Sequence, residues 1–196
     1  MPKLLRLLAV ITTLLAAPAA AQFSDSYNLI KAFKDKDANA AIELLDKPGN
    51  TLVNSRDADT GDGGIHIATR RADLPWVGLI LKYNGNINLQ DRQGNTALML
   101  ATIARWQEGV NLFLRVKAQP DIQNRLGETP LLKAVQARDV QLVEALLKAG
   151  ANPDITDNSG TSPRIAAARD PRATRVAELF EAVPPKQNRI MQGPTL

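Results

Sequence analysis

His66 is the only histidine in the chain of 196 residues, and there is no cysteine. An imidazole suits proton transfer near neutral pH or metal ligation, but either role needs partner groups. A second His and a Cys are both missing, no serine has a local His–Asp partner, and Gly-x-Ser-x-Gly does not occur. The lack of cysteine also removes a disulfide framework and thiolate chemistry.

The densest acidic run is Asp57, Asp59 and Asp62, closed by Gly63-Gly64. Alternating carboxylates at a tight turn are how calcium loops are built. This run departs from the helix–loop–helix pattern at three places. Gly61 takes the fifth position, Asp62 takes the sixth where a glycine turns the loop, and Ala68 takes the twelfth where a bidentate Glu belongs. A hairpin tip rich in turn formers accounts for the run. The glycines make no phosphate loop either, since no Lys-Ser/Thr follows. Asp91, Asp157, Glu128 and Glu144 read as a solvated surface rather than as acid–base pairs. The expectation is therefore no catalytic residue, no cofactor and no metal. A metal-dependent or hydrolytic enzyme is the remote reading, which an activity screen with and without Ca²⁺ or Zn²⁺ would decide.

With chemistry set aside, the elements carry the information. Gly127-Glu128-Thr129-Pro130-Leu131-Leu132-Lys133-Ala134 recurs as Gly94-Asn95-Thr96-Ala97-Leu98-Met99-Leu100-Ala101. Further copies are Gly61-Asp62-Gly63-Gly64-Ile65-His66-Ile67-Ala68 and the worn Gly160-Thr161-Ser162-Pro163-Arg164-Ile165-Ala166-Ala167. The leading glycines are 33 residues apart each time. Self-similarity at such a period means stacked supersecondary units, each unable to bury its apolar face alone.

The period and the Gly-x-Thr-Pro-Leu core closely resemble the ankyrin repeat, over most of the chain after about residue 23. The resemblance implies an all-α solenoid of helix–turn–helix units with hairpin-like finger loops, about five units including both caps. In such a unit Gly leaves the hairpin with positive φ, Thr caps the first helix, and Pro sits in its first turn. Leu and Ala face the next unit. His66 falls on the family's histidine position, where the side chain braces the hairpin by hydrogen bonds.

The expected organisation is a signal peptide at 1–21, an N-terminal capping repeat at 24–57, repeats at 58–90, 91–123 and 124–156, a C-terminal capping repeat at 157–183, and a mobile tail at 184–196. In the first unit Asp37 is a candidate N-cap, and Pro48-Gly49-Asn50 is a turn signal. In the second, Asp73-Leu74-Pro75 opens a helix, Trp76, Leu79, Ile80 and Leu81 fill the gap between units, and Asn84 takes the helix-ending glycine position. In the third, Arg105-Trp106 replace the family's Gly-His, Lys117 replaces the helix-ending glycine, and Gly109 lies inside a helix, making it the least stable unit. The fourth matches best. In the last, Arg164 occupies a core Leu position, so this copy cannot be interior, and Asp170-Pro171 is expected to cap its second helix.

What remains for function is recognition. The resemblance places partner contacts on hairpin tips and inner-helix ends. The tips offer Asp59, Thr60, Arg92, Gln93, Arg125, Leu126, Asn158 and Ser159, with Asp62, Asn95 and Glu128 just after the glycines. The helix ends offer Arg70, Arg71, Ile103, Gln136 and Arg169. Departures begin at the first hairpin, where Ala58 holds the usual Asp place. Arginines 70, 71, 105 and 169, with Arg92, Arg125 and Arg164, suggest a basic stripe. Trp106 is expected as an exposed aromatic anchor, and Arg92 and Arg125 are expected to be free of neighbouring units.

Lys3 and Arg6, the apolar run Leu7 to Ala17, and Ala19-Ala20-Ala21 read as a secretory leader cleaved after Ala21. The mature chain would begin at Gln22, in the bacterial periplasm or outside the cell. Without Lys3 and Arg6, 22 basic residues face 20 acidic ones, which gives no case for nucleic acid or a membrane surface. The expectation is a monomeric, exported, non-enzymatic module that binds a protein partner through its concave groove and fingers. The alternative is an accessory factor for a dedicated envelope enzyme, in stress defence or toxin neutralisation.

Overall fold

The computed structural model describes residues 18–48 and 51–183. Residues 1–17 of the expected 1–21 leader, the Gly49-Asn50 part of the first turn signal and the tail at 184–196 lie outside the described residues. The described residues form ten α-helices and one 3-10 turn, Leu52–Asn54, with no strand among them. The helices are α1 (Pro18–Asp35), α2 (Ala38–Leu45), α3 (Gly64–Arg70), α4 (Leu74–Lys82), α5 (Ala97–Ile103), α6 (Gln107–Arg115), α7 (Pro130–Gln136), α8 (Val140–Lys148), α9 (Pro163–Arg169) and α10 (Thr174–Glu181).

Each unit is an antiparallel pair, and the odd-numbered helices pack on one another in succession as an inner row. On the outside, α8 packs against both α6 and α10. Helices of two turns are not stable alone in water, so the stacking supplies what propensity cannot. The inner row starts on side-chain caps. The hydroxyls of Thr96, Thr129 and Ser162 accept from the N–H groups of Met99, Leu132 and Ile165, as the motif predicts. Outer helices α2, α4 and α8 are capped by Asp37, Asp73 and Asp139.

Seven of the ten described helices, α1 and α3 to α8, are followed by a left-handed residue. Lys36, Ala72, Asn84, Arg105, Lys117 and Arg138 all have positive φ, in places where only Gly150 is a glycine. Pro171 falls at the register of Ala72, Arg105 and Arg138, and a proline ring cannot take positive φ. The turn is rebuilt with one more residue, and α10 begins at Thr174 after Ala173. This corrects the expected Asp170-Pro171 cap. Asp170 instead ends α9 and accepts from the Arg172 N–H and the Arg138 side chain.

The core is a file of aliphatic side chains between units. Leu98, Leu131, Leu142, Val143 and Leu146 are buried, with Val110 and Phe113 from the third unit. In α4 the inward positions are Val77 and Ile80, whereas Trp76, Leu79 and Leu81 are half-buried. Phe33 of α1 meets Trp76 edge-on at 5.7 Å. A Cβ on Gly64 would come within 2.5 Å of the Phe33 ring, so the Pro position of the motif is glycine where the first unit docks.

Gly109 has a packing reason of the same kind. A Cβ there would lie 2.1 Å from the Trp106 indole. Trp106 therefore lies across α6, half-buried, with its ring 6.4 Å from Phe113 in an edge-on pair. It is not the exposed anchor that its place between helices suggested.

Arg164, in the core Leu position, closes the array. Its guanidinium bonds the Asp154 carboxylate at 2.7 Å and donates to the carbonyls of Phe180 at 2.8 Å and Val183 at 3.0 Å. Its charged end thus serves the free carbonyls at the end of α10, where an interior unit would present a methyl group to its neighbour.

Candidate partner-binding surface

The finger loops are built on a carboxylate or amide that folds the chain back on itself. The Asp91 Oδ1 accepts from the N–H groups of Gln93 and Asn95; the side-chain oxygens of Asn124 and Asp157 do the same in their fingers. In the first finger the role moves one residue earlier. Asp57 accepts from the Asp59 N–H, the Thr60 N–H and the Thr60 hydroxyl, and its own N–H donates to the Asp62 carbonyl. The turn-forming Asp whose usual place Ala58 holds is present as Asp57, in a finger one residue longer. Lys34 of α1 pairs with the other Asp57 oxygen, and that pairing holds the carboxyl well below the usual range.

Fingers are tied to one another along the array. The N–H groups of Arg92, Arg125 and Asn158 donate to the carbonyls of Thr60, Gln93 and Leu126, at 3.3, 2.9 and 3.0 Å. Close approach explains the leading glycines beyond their positive φ. A Cβ on Gly61, Gly94 or Gly127 would lie within 3 Å of the next finger's backbone, whereas one on Gly160 would meet nothing within 4 Å. Among the described residues no finger follows that of Gly160.

Two further ladders escaped the sequence reading. The Gln90 and Gln123 amides each donate to a carbonyl in their own finger and to one in the next, and Arg56 donates to the Gln90 carbonyl. Asn54, Asn88 and Asp121 accept from backbone N–H groups of the following unit, Asn86, Gln119 and Asn152. The signal was the 33-residue spacing of Gln90 to Gln123 and of Asn88 to Asp121.

His66 braces the first of these junctions. It is fully buried; its Nδ1 accepts from the Gly63 N–H, and its Nε2 donates to the Leu89 carbonyl, both at 2.9 Å. The donor and acceptor on either side fix the neutral Nε2–H form, and burial pushes its pKa down. Among the described residues no group of three His, Asp or Glu is placed to hold a metal ion.

Inner-helix side chains reach the finger bases. Arg70 bonds Asp62 of its own finger and Asp91 of the next, at 3.2 and 2.9 Å. Lys133 of α7 pairs with Glu128 and also reaches Gln136. Burial raises the Glu128 carboxyl's pKa, but its bonds to Lys133 and the Asn124 amide outweigh that and leave it lowered.

Of the expected contact residues, Asp59, Thr60, Arg70, Arg71, Arg92, Gln93, Ile103, Arg125, Leu126, Gln136, Asn158, Ser159 and Arg169 are exposed, and Asn95 is half-exposed. Asp62 and Glu128 are buried and paired, as is Asp91, so these carboxylates are struts rather than a solvated face.

The basic stripe is also corrected. Arg70 is matched by two carboxylates, Arg164 belongs to the terminal cap, Arg71 holds the carbonyls of Phe33 and Lys34, and Arg105 holds that of Ala137. Arg92 is not free of its neighbour, because its guanidinium donates to the Ala58 carbonyl at 2.6 Å. Of these seven arginines, only the Arg125 and Arg169 side chains are without a hydrogen bond or ion pair to the described residues.

A family model described as ankyrin repeats, in three copies, matches residues 103–182. Those residues run from the end of α5 through α10, and the same helix pairs and fingers continue upstream to the finger at Asp57. The match supports the ankyrin-repeat family for this chain, and its fold is an all-α ankyrin-repeat solenoid.

Proposed function

We propose that this protein is an exported, non-enzymatic ankyrin-repeat module that holds a protein partner against its fingers and inner-helix ends, the concave side of such a solenoid. Ankyrin repeats indicate a protein–protein interaction module. The observation that carries the choice of face is the contrast between side chains that build the array and side chains that do not. On the fingers, backbone bonds and the Asn158 amide run between units, while the tip side chains Gln93, Arg125 and Leu126 are exposed and bond no neighbouring unit. A surface rigid in its main chain and free in its side chains is suited to recognition.

Arg125 is the clean probe, since its side chain bonds nothing among the described residues. Arg125→Ala is expected to weaken partner binding by at least about 1 kcal/mol if the residue is central, with an unchanged melting temperature, and the loss should shrink at high salt. Lys148→Ala on the outer helix is the control and should bind normally. Equal binding by both variants would move the interface off this face.

Export rests on the leader pattern. No described helix is long and apolar enough to cross a membrane. N-terminal sequencing of the protein from its host is expected to start within two residues of Gln22, and a full-length cytoplasmic product would refute export. An accessory role beside an envelope enzyme uses the same surface, so it is a choice of partner rather than of mechanism.

A further inference from the structure

We propose that the middle of this face takes an extended acidic segment of the protein partner, one that seats a large apolar side chain between Ile103 and Leu126. The inference rests on the reading of this side as the partner-binding face.

The exposed large hydrophobics among the described residues are Tyr27, Leu74, Ile103, Val116, Leu126 and Ile165. Tyr27 is on α1, Leu74 and Val116 are on the outer row, and Ile165 takes the register of His66, Met99 and Leu132, pointing to where a following unit would be. Ile103 at 51% and Leu126 at 63% exposure are the pair on the finger side. Their placement follows from register. Ile103 comes 33 residues after Arg70, and Arg70 reaches across to Asp91 at the base of the next finger. The same geometry directs Ile103 towards the finger based on Asn124, which carries Leu126 at its tip.

Charge around this seat is one-sided. Just after the glycine, the neighbouring units have Asp62 and Glu128, each neutralising a cation of the inner helix; here the residue is Asn95, and no inner-helix cation faces it. The cations that flank the seat are not neutralised. On one side Arg92 donates to a carbonyl and keeps its charge, and on the other Arg125, next to Leu126, has no ion pair. Of the finger carboxylates outside ion pairs, Asp59 is at the far N-terminal finger, and Asp157, on the finger after Leu126, is half-exposed with its Oδ1 taken by the Ser159 and Thr161 N–H groups. An apolar seat between unmatched guanidinium groups fits an apolar side chain with carboxylates on either side, because Arg pairs with carboxylates in a planar, two-bonded geometry.

The test is selection of random linear peptides on the purified full chain, followed by affinity measurement with the synthesised consensus peptide. The enriched sequences are expected to share one large apolar residue with Asp or Glu within a few positions on both sides. Leu126→Asp and Arg125→Glu should each weaken the consensus peptide about tenfold or more, and Lys148→Ala should leave it unchanged. Both substitutions are at exposed tips, and unchanged melting temperatures verify the fold. A neutral or basic consensus, no enrichment, or a peptide indifferent to both variants would overturn the proposal. A photo-crosslinker at Gln93 separates this from the broader reading. Crosslinks to a protein partner without an acidic–apolar consensus would sink the segment chemistry and leave the face; neither result would remove both.

Discussion

His66 is buried between a donor and an acceptor, and its neutral form is the one that satisfies both. Protonation would set an N–H against the Gly63 N–H inside the protein. The folded-state pKa is therefore lowered below the ordinary value of about 6.5. The unfolded chain binds the proton more readily, so stability from this group is present above that value and is lost as pH falls through it. The lowered carboxyls, such as Asp57 and Asp73, lose their contribution only further down, below about pH 4. With a single histidine in the chain, His66 dominates the interval from pH 7 to pH 5, at the foot of which the lowered Glu128 carboxyl only begins to contribute. The melting temperature is expected to drop across that interval. His66→Gln should flatten the drop, whatever it does to stability at pH 7; an equal slope in the variant would contradict this reading.

At this scale the sequence was informative where one residue type answers one local need. The positive φ of Asn84 and the hydroxyl caps were legible because backbone geometry admits few alternatives, whereas Lys117 stood out only as a departure from glycine and yet keeps the left-handed turn. Trp106 was misread because exposure is decided by packing. A glycine three residues later, on the same helix face, was the available sign that the indole had a seat.

Among the elements, the two outer helices α4 and α6 each carry an internal glycine, and propensity treats the two alike. Gly78 has nothing within 4 Å of an added Cβ, whereas Gly109 has the Trp106 ring at 2.1 Å. Gly78→Ala is expected to stabilise by about 0.5–1 kcal/mol through helix propensity. Gly109→Ala gains the same propensity but must displace the indole, at an overpacking cost of about 1–3 kcal/mol, so it should destabilise or at best break even. Denaturant unfolding of the two variants checks the difference in sign; stabilisation by both would mean that Trp106 does not rest on Gly109. The fingers teach a related lesson. Their tips were read from the motif, but the bonds between tips, and the Gln90 and Gln123 amides that reinforce them, link residues a whole unit apart. Such bonds appear in sequence only as a repeated residue type with no local purpose.

The array as a whole was the most legible level, because a fixed period with glycine, hydroxyl and aliphatic positions in register permits few packings. The face used for recognition was less so. Seven arginines looked alike in sequence, yet five of them, 70, 71, 92, 105 and 164, serve to tie units together or to close the end. Arginine reaches far enough to serve the next unit as readily as a partner, and spacing alone does not separate the two uses.

The direct measurement is photo-crosslinking in the native host, with the reactive side chain placed in turn at Gln93 on a finger tip and at Lys148 on an outer helix. Both positions are exposed, so neither substitution disturbs the core. The account predicts a discrete protein adduct from position 93 and none from position 148. An adduct from position 148 with none from position 93 would contradict it, placing the partner on the outer helices and leaving the fingers as bracing alone.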